Sequence, residues 1–135
     1  MFLIDTVTLS ELRKRERDPG VVAWFEKQRT TELFLSVISI GHRATDPGFA
    51  ETPAAWLDRV LALYGERVLA FDLQTARRWG TLSAALGNAS ADLMIAATAL
   101  EHGLTVVTRD ASDFEPTGVP VLNPFNPQPP VGSRS

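Results

Sequence analysis

Short apolar runs without alternation, each followed by a stretch of helical period, limit most strongly what this chain can become. Phe2, Leu3 and Ile4 form the first run; Leu33, Phe34 and Leu35 with Val37 and Ile38 form the second. Residues 68–71, 104–107 and 119–122 supply three more. A run that is apolar at consecutive positions suits a strand buried on both faces, as in a parallel sheet. Helical segments fill the intervals. Leu57, Val60, Leu61 and Tyr64 recur at i, i+3, i+4 and i+7 between Pro53 and Gly65. A further helix is expected over 74–86, and residues 89–102 are apolar nearly all round, the pattern of a buried central helix. Shorter helices are expected from Thr6 until Asp18-Pro19-Gly20, from Pro19 to about Arg29, and after Ser39 until Asp46-Pro47-Gly48.

Strands separated by helices over and over predict an α/β fold: one parallel sheet with helices on both faces, in a single domain. The expected domain covers residues 1–125. The tail begins irregularly at Asn123, and residues 126–135, rich in Pro, Gly and Ser, are expected to be disordered. The chain's 135 residues and 44% apolar content suffice for one continuous core.

Composition narrows the chemistry. With no cysteine, disulfides, thiolate-bound zinc, iron–sulfur clusters and thiol nucleophiles are excluded, so a metal must be held by oxygen or histidine. A net charge of −3 argues against nucleic-acid binding by bulk positive charge alone. The longest apolar runs, residues 2–4 and 33–40, are too short to span a bilayer, and the start lacks the basic segment of a secretory signal, so the expected location is the cytoplasm.

Parallel α/β sheets place their sites outside the carboxyl ends of the strands. Asp5 follows the first run, and Thr108, Asp110 and Asp113 follow the run at 104–107. Asp92 opens the most apolar helix, with Asn88 or Ser90 placed to cap it. Each acid alone has a plainer use: Asp5 as a cap, Asp92 as a complement to the helix dipole, Asp110 and Asp113 as turn formers. Together they gather carboxylates that repel one another unless a cation neutralises them. A hard cation, Mg²⁺ or Mn²⁺, suits such oxygens, and it binds phosphate oxygens as well. A metal-dependent nuclease is the expectation, with Arg13, Lys14, Arg15, Arg17, Arg77, Arg78 and Arg109 available for phosphate. No Gly-rich phosphate loop is present to support a nucleotide-binding alternative.

The opening Leu3-Ile4-Asp5-Thr6, then Leu9-Ser10-Glu11-Leu12, the segment 33–41, the stretch Ala91-Asp92-Leu93-Met94-Ile95-Ala96-Ala97, and Thr108-Arg109-Asp110 with Asp113-Phe114 together resemble a PIN-domain toxin of the VapC type. The resemblance runs from Met1 to about Phe125. It implies a Mg²⁺-dependent endoribonuclease, the toxin of a type II toxin–antitoxin pair, with RNA as substrate and a cognate antitoxin as protein partner. It also implies that Asp5 and Asp92 ligate the metal, that Asp113 is a further metal-binding acid, and that Asp110 belongs to the catalytic set. Thr6 and Thr108 match small hydroxyl residues lining that site.

Two departures stand out. Val7 replaces the usual Asn, and the Glu that in the family follows Gly41 is missing from a stretch several residues short, so that either the deletion has removed it or His42 occupies its place. The alternative reading is therefore a catalytically impaired PIN domain that acts as an antitoxin-binding or dimerisation module. A homodimer is expected from Trp24, Phe25, Trp56 and Tyr64, more aromatic surface than one small sheet needs to cover its core.

Overall fold

The computed structural model of the protein describes residues 1–11, 16–44 and 53–125. Five strands, β1 (Phe2–Ile4), β2 (Leu33–Ser36), β3 (Val68–Leu69), β4 (Thr105–Val107) and β5 (Val121–Leu122), pair in parallel in the order β3-β2-β1-β4-β5. The helices between them are α1 (Thr6–Glu11), α2 (Pro19–Glu26), α3 (Val37–Ala44), α4 (Pro53–Tyr64), α5 (Leu73–Leu86), α6 (Ala91–His102) and α7 (Ala111–Phe114). No helix among the described residues is long and apolar enough to cross a membrane.

Successive strand residues enter two different cores, because the side-chain period of a strand is two. Leu3 and Val106 pack with Ile95, Ala96, Ala99 and Phe114 on one face; Ile4, Leu35 and Val107 pack with Val60 and Tyr64 on the other. This two-sided burial explains the absence of alternation in the sequence. Ala96, Ala97 and Ala99 are fully buried, and their small side chains let α6 lie close against the sheet.

Several expected boundaries move. The second run does not continue as a strand through Ile38. Ser36 Oγ accepts from the backbone N–H of Ile38 (3.0 Å), which turns β2 directly into α3, so Ser36 rather than Ser39 opens that helix. The helix at 89–102 begins at Ala91, with Ser90 in the N-cap position and Asn88 Oδ1 accepting from the Ser90 N–H. Residues 123–125 belong to the folded body rather than to a tail: Pro124 is buried, and Asn123 bonds to both Phe125 N (2.9 Å) and the Arg109 carbonyl (3.3 Å). Residues 126–135 lie outside the described residues, as do residues 45–52.

Three of the four aromatics expected at a dimer interface pack within the fold. Trp24 stands edge-on between Phe2 and Phe25, with ring centroids 5.0 Å apart in each pair, and Tyr64 is buried in the core. Trp24 and Phe25 are half-buried against the same core as Tyr64. The Trp56 side chain lies outside what is described.

Gly103 ends α6 in the left-handed region at φ 68°, where its N–H reaches the Ala99 and Leu100 carbonyls. A Cβ there would meet nothing within 4 Å, so only the backbone conformation resists a side chain. Gly103→Ala is expected to lower unfolding stability by about 1 kcal/mol, read from urea denaturation, without change in fold.

Candidate metal centre and nucleic-acid interface

The chain builds β1, β2 and β3 outward in one direction, then returns to add β4 and β5 on the other side of β1. A crevice opens where the order reverses, outside the carboxyl ends of β1 and β4. Asp5 and Thr108 are the residues that leave those two strands.

Their contacts are direct. The Asp5 N–H donates to the Val107 carbonyl (2.9 Å), and the Thr108 N–H donates to the Leu122 carbonyl (3.0 Å), extending the ladder past the strand ends. Thr108 Oγ1 donates to Asp5 Oδ2 (2.9 Å) and accepts from the Asp110 N–H (3.0 Å). One buried hydroxyl thus orients the Asp5 carboxylate and the backbone of the β4–α7 turn together. Thr8 Oγ1 donates to the Val107 carbonyl (3.3 Å) and ties the first turn of α1 to the same place.

Asp92 lies partly buried in the first turn of α6. Because α6 leads through Gly103 into β4 and packs back over Leu3 and Val106, its first turn lies at the edge where β1 and β4 end. Asp110 occupies the N-cap position of α7 without a side-chain cap bond, and Asp113 is exposed in the first turn of that helix, its N–H donating to the Asp110 carbonyl (3.0 Å). The structure therefore links Asp5, Thr108 and Asp110 by hydrogen bonds and brings Asp92 to the same edge on a separate element. Among the described residues, no three Asp, Glu or His side chains form a ready cage for a metal ion. The available donors are carboxylates, which suit a hard divalent cation that completes its shell with water and phosphate. Position 42 lies within α3, but its side chain, like that of Thr6, is outside the described set.

Glu11, to which the sequence pattern assigns no role, is a buried carboxylate, 4% exposed. Its Oε2 accepts from the Asp18 N–H (2.9 Å) at the entry to α2, and its Oε1 stands 3.8 Å from Arg109 Nη2. Asp5, Thr8 and Glu11 follow at three-residue intervals, a spacing that keeps them on one side of the chain as it coils. That spacing was the available signal.

The PIN domain model matches residues 2–118. The chain belongs to the PIN-domain family, among its VapC-type toxins. It is 38% identical over 141 residues to VapC ribonuclease Y4jK of Sinorhizobium fredii, covering 94% of this chain and 99% of that protein. It is 30% identical to Toxin FitB of Neisseria gonorrhoeae, covering 93% and 99% of the two chains. Among solved structures, FitAB bound to the IR36 DNA fragment superposes with a TM-score of 0.81 at 28% identity, covering 96% of this chain and 99% of that one. The crevice between β1 and β4 thus lies in a PIN domain, and PIN-domain nucleases use divalent metal.

Thr108→Val keeps the side-chain shape but strips Asp5 Oδ2 of a donor and the Asp110 N–H of an acceptor. The expected loss is about 1–3 kcal/mol of unfolding stability. Thr108→Ser, which retains the hydroxyl, should lose less in the same urea titration.

Proposed function

We propose that this chain is a Mg²⁺-dependent endoribonuclease, the toxin of a type II toxin–antitoxin pair, acting on RNA in the cytoplasm and held in check by a cognate antitoxin. The observation that carries the reading is the Asp5–Thr108 hydrogen bond at the reversal of strand order, with Asp92 at the same edge. The catalytic unit is the PIN-like domain of residues 1–125.

In this reading Asp5 and Asp92 ligate the cation, Asp113 completes its protein ligands, and Asp110 serves the same site. Mg²⁺, or Mn²⁺ in its place, supplies charge neutralisation of the scissile phosphate and activation of the attacking water. Thr108 holds Asp5 in one rotamer, so the carboxylate does not have to be ordered when substrate arrives. Asp92 receives part of its compensation from the positive end of α6. The names of the relatives, a VapC ribonuclease and a toxin, support the activity and the role. Self-association into a homodimer belongs to the same proposal; its apolar surface would come from exposed Leu61 and Leu63 on α4 rather than from the aromatic group.

Asp5→Asn and Asp92→Asn preserve side-chain volume and each remove one anionic oxygen. Both variants should lose Mg²⁺-dependent cleavage of RNA by at least an order of magnitude while melting no lower than the parent in EDTA, because repulsion between the acids is relieved. An Asp92→Asn protein that cuts at the parent's rate would leave Asp92 with its helix-dipole role only.

The absence of the family's Glu after Gly41, whether deleted with the shortened stretch or replaced by His42, favours a weakened cation site, since affinity for a hard cation rises with the number of anionic oxygens. His42→Glu is expected to lower the Mg²⁺ concentration for half-maximal cleavage, on the order of 10-fold. If neither the parent nor His42→Glu cleaves RNA at any Mg²⁺ concentration, the binding-module reading replaces the nuclease.

A further inference from the structure

Arg109 sits one residue beyond the hydroxyl that orients Asp5, and it is held from three sides. The Phe125 ring lies under its guanidinium, 4.0 Å from carbon to ring centroid. Glu11 stands beside it, with Oε1 3.8 Å from Nη2. Asn123 Nδ2 fixes its carbonyl (3.3 Å). Glu11 is buried while the Arg109 side chain is 48% exposed, so the pair orients the guanidinium from below and leaves its outer edge in solvent.

The separation from Glu11 exceeds hydrogen-bond length, and among the described residues no acceptor lies within hydrogen-bond reach of the Arg109 side-chain nitrogens. A guanidinium carries five donors in a rigid fork that matches a phosphate, and stacking on an aromatic ring restricts it without occupying those donors. The net charge of the chain is −3, and Asp5 and Asp110 are joined through Thr108 at this edge, so an anchored cation at the rim is well placed to draw in a polyanion.

We propose that Arg109, oriented by Phe125 and Glu11, binds a backbone phosphate of single-stranded RNA next to the phosphate presented to Asp5. The proposal rests on the nuclease reading and assigns Arg109 to substrate positioning. Phosphate contacts of this kind set register and affinity without reading sequence.

The test is binding of a short labelled single-stranded RNA to the intact protein in EDTA, followed by fluorescence anisotropy across a salt series. Arg109→Ala should weaken binding on the order of 10-fold and reduce the magnitude of the salt slope by about 0.7, the contribution of one phosphate contact on a single strand. Phe125→Leu should weaken binding roughly 3-fold at an unchanged slope, because the charge stays and its orientation is lost. Arg109→Lys should keep the slope and recover only part of the affinity. Parent affinity and slope in Arg109→Ala would overturn the assignment, as would full affinity in both Phe125→Leu and Arg109→Lys. Cleavage of RNA by the parent together with an unaltered slope in Arg109→Ala defeats this proposal alone. RNA binding through Arg109 without Mg²⁺-dependent cleavage defeats the nuclease reading alone. A parent that neither binds RNA in EDTA nor cleaves it with Mg²⁺ defeats both.

Discussion

Strand order reverses once in this sheet, between β1 and β4, and every feature of the site follows from that reversal. Helices connecting strands on opposite sides of a reversal diverge, leaving a crevice that no connection fills. Asp5 and Thr108 are placed there by the register Ile4↔Val107, which brings the next residue of each strand side by side. The hydrogen bond between them then converts a topological gap into a carboxylate of fixed orientation. A slip of one residue in that register would turn Leu3 and Ile4 into each other's cores and carry Asp5 away from Thr108. The two-sided apolar burial that stabilises the sheet is the same constraint that aligns the acid.

The burial of Glu11 shows how an acidic site is held without collapsing. A buried carboxylate is tolerated only with hydrogen bonds or an opposite charge, and Glu11 has the Asp18 N–H and the Arg109 guanidinium. Through those contacts α1, the start of α2 and the β4–α7 turn are coupled, and the Asn123 and Phe125 contacts extend the coupling past β5. The residues that orient the site thus come from both ends of the described chain. The contact between positions 11 and 109 joins residues distant in sequence that the pairing of β1 with β4 already brings together.

The sheet was legible because its strands are buried on both faces and its helices keep their period; of the stripe Leu57, Val60, Leu61 and Tyr64, Val60 and Tyr64 enter the core while Leu61 is exposed. The positions of Asp5 and Asp92 were legible for the same reason, since each adjoins an unmistakable element. Boundaries governed by a single side-chain hydrogen bond were not. Ser36 turns strand to helix through one contact that periodicity cannot register. The three-residue spacing from Asp5 through Thr8 marks Glu11's side of the chain, but its pairing with Arg109, like that of Phe125, is between residues distant in sequence, and no local pattern marks a pair closed only by the fold. Trp24 and Phe25, expected at a dimer interface, meet edge-on with Phe2 and lie half-buried against the sheet, a use that composition does not reveal.

The central claim is that the crevice between β1 and β4 holds a divalent cation on Asp5 and Asp92. Anomalous diffraction from crystals of the protein soaked in Mn²⁺ tests it without reference to activity. The account predicts a peak within coordination distance of both carboxylates, absent from crystals of Asp5→Asn. A peak confined to other acids, or none at the crevice at a saturating concentration of Mn²⁺, would contradict it.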